Sequence, residues 1–187
     1  MMLPTHVLVG MTLATPVAVA VPDLAGPAVG GAVLGSVVPD LDVVGRHRRT
    51  LHFPTGYALA AAIAVGVALV VPTGPTAGLA AGLVAGAVHC RMDSYGGSPE
   101  LRPWKRTVDR AVYDHVRGRW RPARRWVRYD GSPGDLLAAL VAAVLPAVVF
   151  EGPPRLLVAA AVAVAVVYTA LRRRLPALVD VVTGDEV

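Results

Sequence analysis

Apolar residues in this chain come in long unbroken blocks, and polar residues are confined to the gaps between them. Proline, glycine and charge divide six apolar segments, near 6–21, 24–38, 55–71, 76–90, 136–150 and 156–171. A soluble amphipathic helix would return a polar residue every turn or two; these blocks do not. Between Thr50 and Val88 there is no Asp, Glu, Lys or Arg at all. The pattern predicts an all-α fold: a polytopic membrane helix bundle of about six short transmembrane segments, forming one domain over residues 1–187. Each segment is shorter than the ~20 residues that span a bilayer core unaided, so tilting or local thinning is expected. Pro16 lies inside the first segment and Pro27 near the start of the second, so these two are expected to be kinked or partly re-entrant.

Composition supports that picture. Hydrophobic residues make up 55% of the chain, charged residues only 17%, and the mean hydropathy is +0.56; a soluble domain carries about a quarter charged residues. The first apolar block has no basic residue ahead of it and a His at its start, which argues against a cleaved signal peptide. The single Cys90 excludes an intrachain disulfide and a thiolate zinc cluster.

Charge then orients the segments. With the N-terminus in the cytoplasm, the cytoplasmic parts are 39–54, 91–135 and the tail after 171, which hold 3, 11 and 3 basic residues, or 17 of 18. Only Arg155 falls outside, as the positive-inside rule requires for a multi-pass cell-membrane protein with both termini cytoplasmic. The basic, Trp/Arg-rich insert at 91–134 contains Trp104, Trp120 and Trp126 together with Tyr95, Tyr113 and Tyr129. Such a mixture suits the headgroup layer, so membrane lipids with anionic headgroups are the expected partners of the insert. A solvated loop obeying the charge bias is the plainer account. A homo-oligomer is compatible with the pattern, and nucleic acid is disfavoured because no recognition motif accompanies the charge. At its end, Ser132-Pro133-Gly134-Asp135 predicts a helix start, with Ser as N-cap, Pro at the first position and an acid at the third.

The polar residues at the segment ends carry the candidate chemistry. His6 opens the first segment. Asp40 and Asp42 close the second, His47 and His52 flank the loop after it, and His89 and Asp93 close the fourth. Segment direction places all seven at one membrane depth. On the fourth segment Gly78, Gly82, Gly86, His89 and Asp93 fall within an arc of about 80° at 100° per residue. Small residues at that spacing let a second helix approach, so His89 and Asp93 are expected to face the bundle interior. Imidazoles with carboxylates suit a divalent metal ion such as zinc, manganese or iron. The Asp40/Asp42 pair is expected either to bridge ions or to orient a ligating His. His115, next to Asp114 in the insert, and Cys90 read as structural residues.

Taken in order, Thr5-His6, Pro39-Asp40-Leu41-Asp42, His47-Arg48-Arg49-Thr50-Leu51-His52 and His89-Cys90-Arg91-Met92-Asp93 resemble the inner-membrane-associated metal-dependent hydrolases, a family also named for LexA binding. The similarity runs from Thr5 to about Pro103. The insert and the last two segments are most similar to versions from salt-loving archaea. The sequence departs from the family pattern where Leu51 separates Thr50 from His52 and where Phe53 replaces a common Ser. The His47-to-His52 spacing is kept.

The resemblance implies a membrane-bound, metal-dependent hydrolase, acting on a phosphoester of a lipid or lipid-like substrate at the cytoplasmic face. His6, Asp40, Asp42, His47, His52, His89 and Asp93 would supply the metal ligands and a base. Asp42 and Arg48 are the expected catalytic residues, with Arg48, Arg49 or Arg91 neutralising phosphate charge. The LexA association is not carried over. The alternative reading is a non-enzymatic membrane scaffold or a small metal or anion transporter. A transporter would place polar residues at mid-segment, where this chain has none that are charged.

Overall fold

The computed structural model describes residues 1–183. The described chain is mostly helical, in the order α1 (Leu3–Ala20), α2 (Ala25–Val37), α3 (Pro54–Val70), α4 (Gly74–Tyr95), α5 (Pro133–Val149), α6 (Pro153–Leu171) and α7 (Leu175–Thr183). Proline explains where most of them start. Pro4, Pro54, Pro75, Pro133 and Pro153 each occupy the first or second position of a helix. There the missing N–H is not needed and the fixed φ is already helical. The helices therefore begin a few residues ahead of the apolar runs.

Each of the six apolar stretches lies on a helix. At the end of the fourth stretch α4 continues to Tyr95, so Arg91–Tyr95 belong to the helix and not to the insert. The short α7 follows the last stretch and has no counterpart in the apolar pattern. α1 runs through Pro16 as one helix. Leu3–Ala20, Pro22–Val44 (α2 with the 3-10 turns that flank it) and Pro153–Leu171 are long and apolar enough to cross a membrane. Pro54–Val70 and Pro133–Val149 are apolar but shorter.

α1 lies at the centre, packed against α2, α4, α5 and α6. The core around it is built largely from small residues, Ala14, Ala28, Ala32, Ala85, Ala139, Ala143, Ala161 and Ala165, with Leu8, Met11 and Phe150 among its larger members. Small side chains permit close helix approach, and the α2–α4 crossing takes this to its limit. A Cβ placed on Gly31 would lie 2.0 Å from the carbonyl oxygen of Gly78, and one on Gly35 would lie 1.9 Å from that of Gly82. The glycine stripe on α4 thus meets a second stripe on α2, backbone to backbone.

Two buried carboxylates pin the polar ends. Ser132 caps α5 as its sequence predicts, accepting a hydrogen bond from the Asp135 amide. The Asp135 side chain does something the cap pattern does not show. It reaches α1, accepting from the Met2 amide at 2.8 Å and the Thr5 hydroxyl at 2.8 Å, and so fixes the turn that bears His6.

Asp114 organises the insert. It ends the first strand of a two-stranded antiparallel hairpin, β1 (Tyr113–Asp114) and β2 (Arg119–Trp120). Its carboxylate accepts from the Val116 and Arg117 amides and from the Arg121 guanidinium at 2.8 Å. Burial alone would raise its pKa, but the bonds from Arg121 and Arg117 override this and hold it at about 2. A depressed carboxyl stabilises the fold above its unfolded pKa, and that contribution fades as pH falls through the folded value. The hairpin should therefore keep its contribution unchanged above about pH 4 and lose it only on approach to pH 2. Asp114→Asn should make Arg117 and Arg119 several-fold more susceptible to trypsin at neutral pH, with helix content unchanged. Cleavage at the wild-type rate would show that the hairpin does not depend on this carboxylate.

Candidate metal centre

Four pieces of chain converge beside the first turn of α1. Pro39 cannot donate a hydrogen bond back to Gly35, which weakens the helix at the end of α2. The chain there tightens into a 3-10 segment over Val38–Val44. That segment turns Asp40 and Asp42 in different directions. The loop after it carries His47, Arg48 and His52. The last turns of α4 bring His89 and Asp93, facing inward as the glycine arc predicts; both are about 1% exposed.

The inner cluster consists of Asp40, His52, His89 and Asp93, with ligand atoms all within 4.8 Å of one another, and it could hold a metal ion. His52 Nε2 lies 3.2 Å from Asp93 Oδ2 and 3.7 Å from Asp40 Oδ1. His89 Nε2 lies 3.3 Å from Asp40 Oδ1 and 3.5 Å from Asp93 Oδ2. A tetrahedral site with bonds of about 2.0–2.2 Å has ligand–ligand edges of roughly 3.3–3.6 Å, and the four imidazole–carboxylate spacings lie close to that range.

The hydrogen bonds on the far sides of the rings make the fit chemical as well as geometric. His89 Nδ1 lies 2.7 Å from the Ser36 carbonyl oxygen, which can only accept, so this nitrogen carries the proton. His52 Nδ1 lies 3.0 Å from Asp42 Oδ2, a carboxylate that likewise takes a donor. In each neutral ring Nε2 is then a lone pair pointed at two carboxylates. The buried His89 Nε2 indeed makes no hydrogen bond. Acceptors facing acceptors in a buried site require a cation between them, either a proton on an imidazole or a metal ion. Outer partners that fix the tautomer of a ligating His are the usual accompaniment of metal sites.

The remaining expected residues take distinct places around this core. His6 stacks on His89 with ring centroids 3.7 Å apart and places Nε2 3.2 Å from Asp93 Oδ1. The Met1 nitrogen lies 2.6 Å from the same oxygen. Asp42, expected as ligand and catalytic residue, has both oxygens engaged. It accepts from His47 Nδ1 at 2.9 Å, from His52 Nδ1, and from the amides of Arg48, Arg49 and Leu51. Of the two roles open to it, the geometry is that of a carboxylate orienting histidines. His47 stands outside the four-residue core with its side chain 36% exposed.

Arg48 is buried, donates to the Gly97 carbonyl at 2.6 Å and holds Nε 3.5 Å from Asp93 Oδ2. Its φ of 61° places it in the left-handed region, at a cost of about 1–2 kcal/mol for a residue with a Cβ. Bonds at its amide and side chain, and from the Tyr113 amide to its carbonyl at 3.0 Å, offset that cost.

Sequence reasoning missed how the insert meets this site. His115 donates Nε2 to the Arg49 carbonyl at 2.7 Å and stacks on Phe53 at 4.5 Å; the Arg49 guanidinium lies over Tyr113. The hairpin thus docks on the histidine loop, and Phe53 finds its partner there. Several arginines of the chain lie over its own aromatic rings, including Arg110 over Trp120 and Arg172 over Trp104.

Asp40 is the member of the core with an outlet. Its side chain is 21% exposed, and with His47 and Arg48 it lines a cavity of about 900 Å³ between α1, α6 and α7. Tyr168 and Arg172, both bonded to Asp130, line another part of its wall. Compared with family models, curated proteins and solved structures, the chain shows no match to any of them. The centre is therefore read from its own geometry.

Proposed function

We propose that this chain is a multi-pass membrane protein whose buried His/Asp centre binds a divalent metal and hydrolyses a phosphoester of a lipid or lipid-like substrate at the cytoplasmic face. The observation that carries the reading is the pair of imidazoles, His52 and His89, whose Nδ1 atoms are held by Asp42 and the Ser36 carbonyl while their Nε2 atoms face Asp40 and Asp93. Asp40, Asp42 and Asp93 bring three negative charges, against one positive charge from Arg48 and one from the Met1 ammonium, so the site keeps a net negative charge that favours a bound cation. The ordered motifs resembling the metal-dependent hydrolase family support the same conclusion, as does the strongly one-sided placement of arginine for a bundle with both termini cytoplasmic. The outer helix faces are apolar: Leu59, Ile63, Leu69 and Val70 on α3 are between 63% and 81% exposed, a surface suited to lipid.

The bound metal would polarise the phosphoryl oxygen and activate water. The chain's own residues do the rest. Asp42 and the Ser36 carbonyl hold the two imidazoles in register. Arg48 compensates the charge of Asp93 and adds positive potential at the cavity wall. His47 donates Nδ1–H to Asp42, which leaves Nε2 free on the cavity side to accept a proton or, once protonated, to return it to a leaving oxygen. Asp42 is then a positioning residue for both histidines.

Elemental analysis of protein purified in mild detergent without chelator should find stoichiometric zinc, manganese or iron. Chelation should abolish hydrolysis of a soluble phosphodiester, and re-addition of the metal should restore it. A protein that takes up no stoichiometric metal when supplied with each of the three would overturn the proposal.

A further inference from the structure

The cavity that opens beside Asp40 has a shape and lining that the chemistry at its polar end does not need. Its walls come from Leu3 and Val7 of α1, Leu157, Ala160 and Val164 of α6, and Leu175 of α7. At about 900 Å³ it lies within the roughly 300–1,000 Å³ of pockets that enclose small ligands. Along α6 the lining runs from Leu157 to Tyr168, eleven residues, or about 16 Å at 1.5 Å per residue. That is about half of a ~30 Å hydrocarbon core, the depth of one leaflet. Apolar walls of leaflet depth thus continue into a polar corner formed by Asp40, His47 and Arg48.

From this continuity we infer that the cavity between α1, α6 and α7 seats the hydrocarbon chain of an amphiphilic phosphoester while its phosphate lies at the His/Asp centre. The inference rests on the hydrolase reading for the identity of the headgroup, and on the cavity walls alone for the chain. A soluble phosphoester would gain nothing from these walls. A second copy of this protein would present an apolar helix about 10 Å wide with side chains, which would leave the polar corner at Asp40, His47 and Arg48 unmatched. Ala160 and Val164 set the room available. Both are outward-facing on α6 and line the cavity, so larger side chains there occupy the groove without entering the core.

The test uses the full chain in phosphatidylcholine nanodiscs with hexadecyl phosphate carrying a diazirine near the end of its chain. Photolabelling should concentrate on Leu157–Val164 of α6. Unlabelled hexadecyl phosphate should compete, and inorganic phosphate should not. Ala160→Trp and, separately, Val164→Trp should each reduce labelling by at least about tenfold with metal content unchanged, whereas Ile63→Trp on α3 should have no effect. Labelling of α3 as strong as that of α6, labelling indifferent to both tryptophans, or competition by inorganic phosphate as effective as by hexadecyl phosphate would overturn the inference. Because the readout needs no turnover, the two proposals separate. Specific labelling in a protein that binds no metal keeps the groove and removes the hydrolase; metal-dependent hydrolysis with non-specific labelling does the reverse.

Discussion

On the metal-centre proposal, His89→Ala should abolish stoichiometric metal binding while the protein keeps its helix content and its membrane fraction. The imidazole removed is the one whose Nδ1 is committed to the Ser36 carbonyl and whose Nε2 has no hydrogen bond of its own. On that proposal its loss deletes a direct ligand, whereas changes to outer partners alone cost about 10–100-fold in affinity. Asp93→Ala should do at least as much, since that carboxylate faces His6, His52, His89 and Arg48 together. Asp42→Asn should be milder, keeping the ligand set but loosening His52 and His47. His115→Ala should leave metal content unchanged, because its Nε2 is occupied by the Arg49 carbonyl outside the core. Metal measured on purified protein decides the matter: full occupancy in His89→Ala would mean that the cluster is a hydrogen-bonded network and no more.

Gly35→Val should be the most damaging substitution away from the centre. Even a methyl group at this position meets the Gly82 carbonyl oxygen at 1.9 Å, and the obstacle is backbone, which cannot rotate aside. Overpacking of a well-packed contact costs about 1–3 kcal/mol, and here α2 and α4 must separate along their whole crossing. Since Asp40 follows α2 and His89 and Asp93 lie on α4, separation should also release the metal. Gly66→Val is the matched control, as nothing lies near its added Cβ. Thermal unfolding in detergent, with metal content measured in parallel, would test both; a Gly35→Val protein as stable as Gly66→Val would contradict the close crossing.

These two expectations show which parts of the site the sequence makes legible. The arc that joins Gly78, Gly82 and Gly86 to His89 and Asp93 is a property of helical periodicity, and the helix delivers those side chains inward. Proline and the Ser132 cap mark helix starts by local chemistry. By contrast, the partner that fixes His89 is the carbonyl of Ser36, a group every residue possesses, so no sequence signal could announce it. The five hydrogen bonds that turn Asp42 into an orienting residue depend on how a loop folds back on the 3-10 segment, and Asp40, two residues away, has the same local sequence features and a different task. Arg and Trp in the insert read as surface chemistry. Their packing onto one another and onto the histidine loop is tertiary, set by the hairpin that Asp114 holds.

The bonds from Asp135 to Met2 and Thr5 bear on the timing of assembly. They join residues 133 and 130 positions apart, and chains emerge from the ribosome N-terminus first. When α1 through α4 have all been made, the inner cluster of Asp40, His52, His89 and Asp93 has every member, yet the turn that carries His6 still lacks its anchor. That anchor arrives only with the first turn of α5. The cluster is thus finished from outside its own four residues, by a residue translated some forty positions after the last of them, Asp93.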